Sequence, residues 1–135
     1  MIKGFVRGSF LVIVLLYMVT CYAAGESQDP TSVDSENFRV SYKSNIVPLP
    51  LNSMHSWVLH VDTLAGQPVE KAVITVYGGM PAHRHGLPTQ PGVTELGNGD
   101  YLVEGIKFSM IGMWEMWFSI QAEGVADKAK FIIHF

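Results

Sequence analysis

One cysteine, Cys21, in 135 residues leaves no intrachain disulfide to brace this chain and no cysteine pair to grip zinc. Charge is scarce as well: 16% of residues are Asp, Glu, Lys or Arg. No block of lysines or arginines occurs, so the clustered cations that nucleic acid requires are missing. Setting aside Lys3 and Arg7, which belong to an N-terminal segment, 7 basic residues face 12 acidic ones. Helical periodicity is not sustained anywhere beyond that segment. There is no Gly-x-Ser-x-Gly, no His-Glu-x-x-His and no cysteine nucleophile, and the carboxylates Asp62, Glu70, Glu95, Asp100, Glu104 and Glu115 follow no catalytic spacing. The chain therefore reads as a non-enzyme. What it has in quantity is apolar side chains, at 48% enough for a real core and too many for a disordered tail.

The first 23 residues read as an export signal: Lys3 and Arg7, then the apolar run Phe10 to Met18, then Cys21-Tyr22-Ala23 before Ala24. Two other fates are open to the segment. Gly8 to Gly25 is an uncharged run of 18 residues, the shortest that spans a bilayer as a retained anchor. Met18-Val19-Thr20-Cys21 loosely fits a lipidation box, although threonine before the cysteine fits poorly. All three put the folded part outside the cytoplasm, in the periplasm or cell envelope. Residues 24–35 are polar, with Pro30, and read as a tether; the folded domain is expected over 36–135.

Within the domain, apolar and polar residues alternate as in half-buried strands. Phe38, Val40 and Tyr42 share a face, as do His55, Trp57, Leu59 and Val61. Trp114, Met116, Phe118 and Ile120 share another, with Met113, Glu115, Trp117 and Ser119 opposite, and Phe131 and Ile133 oppose Ile132 and His134. Val69 to Tyr77 is apolar on both faces, which predicts a strand in the middle of a sheet. Tyr101, just after a Gly/Asp turn, suggests the tyrosine corner of Greek-key sandwiches. About seven short strands at regular spacing predict an all-β, immunoglobulin-like Greek-key sandwich.

The chain is organised around Gly78 to Gly99, which carries three prolines and glycines at both ends and so cannot be one regular element. It holds Met80, His83 and His85 within six residues. Thioether and imidazole are ligands that copper favours. An extended Ala82 to His85 would project both imidazoles to one side. Met110, or Met113 beyond it, is placed to arrive from the next glycine-bracketed loop, and His55 stands at a strand end where site residues collect. Zinc fits less well, for it would recruit cysteine, a third histidine or a carboxylate. The plain alternative is a rigid loop whose histidines bond backbone. Met116, His60 and His134 read as packing or strand-surface residues.

The run from Gly78 to Trp114 resembles the YtkA-like group of small exported β-sandwich domains, related to FixH-type proteins. The matching residues are Gly79-Met80-Pro81, His83, His85-Gly86-Leu87-Pro88-Thr89 and Pro91. Gly99-x-Tyr101, Gly105-x-Lys107-Phe108 and Met110-x-Gly112-x-Trp114 follow, with His55-Ser56-Trp57 and Gly66-Gln67-Pro68-Val69 upstream. The resemblance spans roughly residues 53–121. It departs at Arg84, where glycine is expected, and a cation there disfavours a metal ion unless its side chain turns away. The resemblance implies an immunoglobulin-like domain of the cell envelope that carries copper or assists assembly, with a copper-dependent membrane oxidase or its assembly factors as partner. The expectation is a copper-binding protein using Met80, His83, His85, Met110 and His55; the other reading is a metal-free interaction or structural module.

Overall fold

The computed structural model describes residues 31–135, so the expected signal, anchor or lipidation site lies outside the described residues. Nine strands follow in order: β1 (Ser32–Asp34), β2 (Phe38–Ser44), β3 (His55–Thr63), β4 (Val73–Met80), β5 (His85–Gly86), β6 (Gly92–Gly97), β7 (Asp100–Ile106), β8 (Met113–Ala122) and β9 (Val125–His134). They form two antiparallel sheets, ordered β1-β2-β3-β7-β6 and β5-β4-β8-β9. Leaving out β1 and the two-residue β5, the orders become β2-β3-β7-β6 and β4-β8-β9, the arrangement of a constant-type immunoglobulin domain. Among the described residues no helix is long and apolar enough to cross a membrane.

The alternating faces meet between the sheets. Val40, Trp57, Leu59, Val61 and Val103 from one sheet, and Trp114, Met116, Phe118 and Ile120 from the other, have no solvent exposure. Aromatic rings tie the layers together: Tyr42 stacks on Trp57 with centroids 3.9 Å apart and meets Phe131 edge-on at 5.0 Å.

Three expectations need correction. Val69 is buried but stands in the connection before β4, which starts at Val73. The outward face of β4 is exposed, with Val73 at 63% and Tyr77 at 65%, because the described residues form two sheets and no further layer packs over it. Two short strands are added to the seven of the sandwich: β1, inside the segment expected as a tether, and the two-residue β5, inside the glycine-rich stretch. Asp127 accounts for the first: its carboxylate accepts Ser35 Oγ and the Asn37 N–H, both at 2.7 Å, fixing the β1–β2 turn against β9.

Tyr101 is the third. Its hydroxyl donates to the Val69 carbonyl at 2.7 Å and accepts the Ala72 N–H at 3.0 Å. These partners lie about 30 residues upstream, so this is a tie across to the connection between sheets and not a local corner. Tyr101→Phe strands both backbone groups and is expected to cost about 1–3 kcal/mol. A urea midpoint equal to the parent's would show that the tie carries no stability.

Candidate metal centre

Strand directions gather the loop 45–54, the segment 81–91 and the loop 107–112 at one end of the sandwich, together with Phe135. The Met/His stretch begins where β4 ends. Pro81 opens a single 3-10 turn, Pro81–His83, and Arg84 then takes a left-handed conformation (φ 55°). That reversal brings His85 back beside Met80, its direct cross-strand partner. Residues 82–85 are therefore not extended, and strand alternation does not align the two histidines. The turn does: the His83 and His85 rings lie 5.9 Å apart at 38°. Two imidazoles bound to one ion through nitrogens at about 2 Å have centroids roughly 5–6 Å apart, so the spacing suits a shared ion.

His85 is the better prepared of the two. Its Nδ1 is 3.0 Å from the Gly86 carbonyl, which can only accept, so Nδ1 carries the hydrogen and Nε2 presents a lone pair. That Nε2 is buried and has no hydrogen-bond partner. A metal-ligating histidine is commonly oriented in this way, one nitrogen held by a carbonyl and the other left bare. The Trp114 ring meets His85 edge-on at 5.6 Å, and its indole N–H is occupied by the Met110 carbonyl at 2.9 Å.

Met80 is 1% exposed and shares the inward face with His85. Its terminal methyl lies 2.8 Å from where a Cβ on Gly112 would stand, so glycine there makes room for the thioether. Gly112 has φ 127° and is held to Phe135 by a pair of backbone hydrogen bonds. Its bracketing position marked it as a turn; its role beside Met80 depends on a contact between distant segments. Trp114 likewise read only as a core residue, although it is also the ring against which His85 rests.

The other candidates differ in placement. The Met110 side chain is 40% exposed, and Met113 is exposed at the start of β8. His55 belongs to the opposite sheet and contacts Phe108 (5.4 Å), which contacts Trp114 (5.4 Å), so a wall of two aromatic rings stands between it and His85. It too is buried, with Nδ1 3.3 Å from the Ser53 carbonyl and Nε2 unpartnered. His60 lies between Asp100 (2.6 Å) and Asp62 (3.1 Å), and His134 is exposed. Arg84 borders a depression of about 280 Å³ together with Tyr77 and Glu115, which stand on the face of the sheet opposite to the buried Met80 side chain and its cross-strand partner His85. The Glu115 carboxylate is shared with Lys130 at 3.4 Å. Among the described residues no three His, Cys, Asp or Glu side chains could hold an ion together, so a site at this end depends on thioether sulfur.

Burial lowers the pKa of His55, against the Ser53 carbonyl, which raises it. The folded state thus prefers the neutral ring. This contribution is complete above the ordinary imidazole value of about 6.5 and is lost as pH falls below it, because the unfolded chain takes up the proton first. Melting at pH 7.5 and 5.0 should show a steeper acid loss for the parent than for His55→Leu; equal slopes would contradict the shift.

A constant-type immunoglobulin sandwich with a His/Met turn at one end is, as a class, a small all-β domain. The chain belongs to the YtkA-like family: the family model matches residues 34–118. In the solved structures it is similar to a DUF4426 family protein from Pseudomonas aeruginosa PAO1, with 15% identity over 77% of this chain and 94% of that one, at a TM-score of 0.55. That likeness is one of fold alone. No curated protein matches the chain.

Proposed function

We propose that this is a non-catalytic copper-binding domain of the cell envelope, a carrier or assembly accessory, holding the ion through His85 Nε2, His83 and Met80. The observation that carries the reading is the buried, unpartnered Nε2 of His85, fixed by the Gly86 carbonyl opposite Met80. Two imidazoles and one thioether form a donor set that suits copper better than zinc. An oxidase or its assembly factors would be the natural recipient, an idea that rests on the family resemblance.

Met80 gives the sharpest test. Met80→Leu conserves volume and is expected to cost less than about 1.5 kcal/mol of stability. It should weaken cuprous binding more than cupric binding, because thioether prefers the softer ion. Equal cuprous affinity in parent and variant would remove Met80 from the site. The metal-free module is favoured by one observation: Met80 sulfur lies on the core side of β4, at 1% exposure. Counting copper per chain in protein from copper-replete cells separates the two readings.

A further inference from the structure

The two ends of the sandwich differ in kind. The three loops at the Met/His end contain no Asp or Glu; their only charged side chains are Arg84 and Lys107. At the opposite end the connections carry Glu36, Glu70 and Glu123 against Lys71. The Met/His end is also where exposed apolar side chains collect. Of thirteen exposed large apolar residues among those described, six stand in those loops: Ile46, Val47, Leu51, Met54, Met110 and Ile111. Val47 is 84% exposed and Ile111 70%. Isolated apolar residues on a surface need no account, but a collar of them around one end, in loops without a carboxylate, does.

The chain also joins the fold toward this end. The Tyr42 N–H donates to the Thr31 carbonyl at 3.0 Å, and Ser32 pairs with Ser41, in the half of β2 that leads to Ser44 and the loop 45–54. In sequence, the uncharged run Gly8 to Gly25 ends only a few residues before Thr31.

The geometry points to this end as a membrane-docking face, seated on an anionic bilayer surface with Val47, Leu51, Met54, Met110 and Ile111 among the headgroups and Arg84 and Lys107 against lipid phosphate. Apolar side chains enter the headgroup region while cations beside them are drawn to anionic lipid, each contributing about fivefold in binding near the surface. Carboxylates would oppose this; none lies in the three loops, and those nearest this end, Glu104 and Glu115, stand on the strands β7 and β8 below them. Glu115, which borders the same depression as Arg84, is shared with Lys130. The inference does not rest on copper: it stands or falls on orientation at a bilayer.

The test uses the full chain with Cys21→Ser and one new cysteine, either Ile111→Cys or Val125→Cys at the far end, each spin-labelled. Both are reconstituted in vesicles of mixed phosphatidylglycerol and phosphatidylcholine. Both replaced side chains are exposed, so folding is not at stake. The label at 111 should be severalfold more accessible to oxygen, relative to a water-soluble nickel chelate, than the label at 125. That difference should shrink in pure phosphatidylcholine, in high salt and in the Arg84→Glu/Lys107→Glu variant. Equal, water-like accessibility of both labels overturns the proposal. So does a label at 111 that is exposed on vesicles yet shielded in native membranes, since that would assign the collar to a protein partner.

Discussion

Replacing His83 and His85 together by alanine is expected to weaken copper binding by at least about a hundredfold, since loss of oriented groups even beyond the ligands costs 10–100-fold. The fold should barely notice. His83 is exposed, and His85 carries a buried acceptor with no partner, so truncation removes an unmet group along with a ring contact. The single variants should rank His85→Ala above His83→Ala, because only His85 has its tautomer fixed by a carbonyl. Affinity in the parent should also fall in acid, where protons compete for the imidazole lone pairs. Titration of copper into parent, singles and double reads all of this. A double variant that binds as tightly as the parent removes the site, whatever becomes of the family assignment.

The layers of this sandwich are plain in the sequence because alternation is a local signal. Trp57, Leu59 and Val61, or Trp114 through Ile120, announce their buried face from spacing alone. Val69 to Tyr77 misleads for a related reason. Apolar residues on both faces imply double burial only where a layer packs on each face, and the number of layers is settled by topology. The described residues form two sheets, so the outer face of β4 has no layer over it, and Val73 and Tyr77 face solvent. β1 was hidden for the opposite reason: Ser32-Val33-Asp34 is too polar to look like a strand. What holds it is pairing with β2 and the Asp127 contacts from the last strand.

At the candidate centre, residue types were legible and geometry was not. Met80, His83 and His85 stand out by chemistry, and they do come together. They do so through a 3-10 turn and a left-handed Arg84, a conformation that arginine seldom signals. His55 could be placed only by knowing its sheet and its contact with Phe108, and Met110 only by its exposure. Those are facts about packing between segments tens of residues apart. The bare Nε2 of His85 is of the same kind, visible only once its neighbours are in place.

Trp57→Ala should be the most damaging single change in the core, at about 3–5 kcal/mol. A domain of this size has roughly 5–15 kcal/mol in total and loses about 4–8 °C in Tm per kcal/mol, so the drop should be at least about 12 °C. The position explains the size. Trp57 is fully buried, stacks on Tyr42, and lies 6.2 Å from Phe108 and 6.3 Å from Phe118, joining one sheet to the other. Its indole N–H, however, has no partner. An unmet buried donor is a standing cost, so Trp57→Phe, which deletes that donor and keeps most of the ring area, should lose far less than the alanine variant. Chemical denaturation of the three proteins separates packing from polarity at one position. If phenylalanine proves as harmful as alanine, the indole nitrogen is satisfied after all, and the polar group contributes to the stability assigned here to the ring.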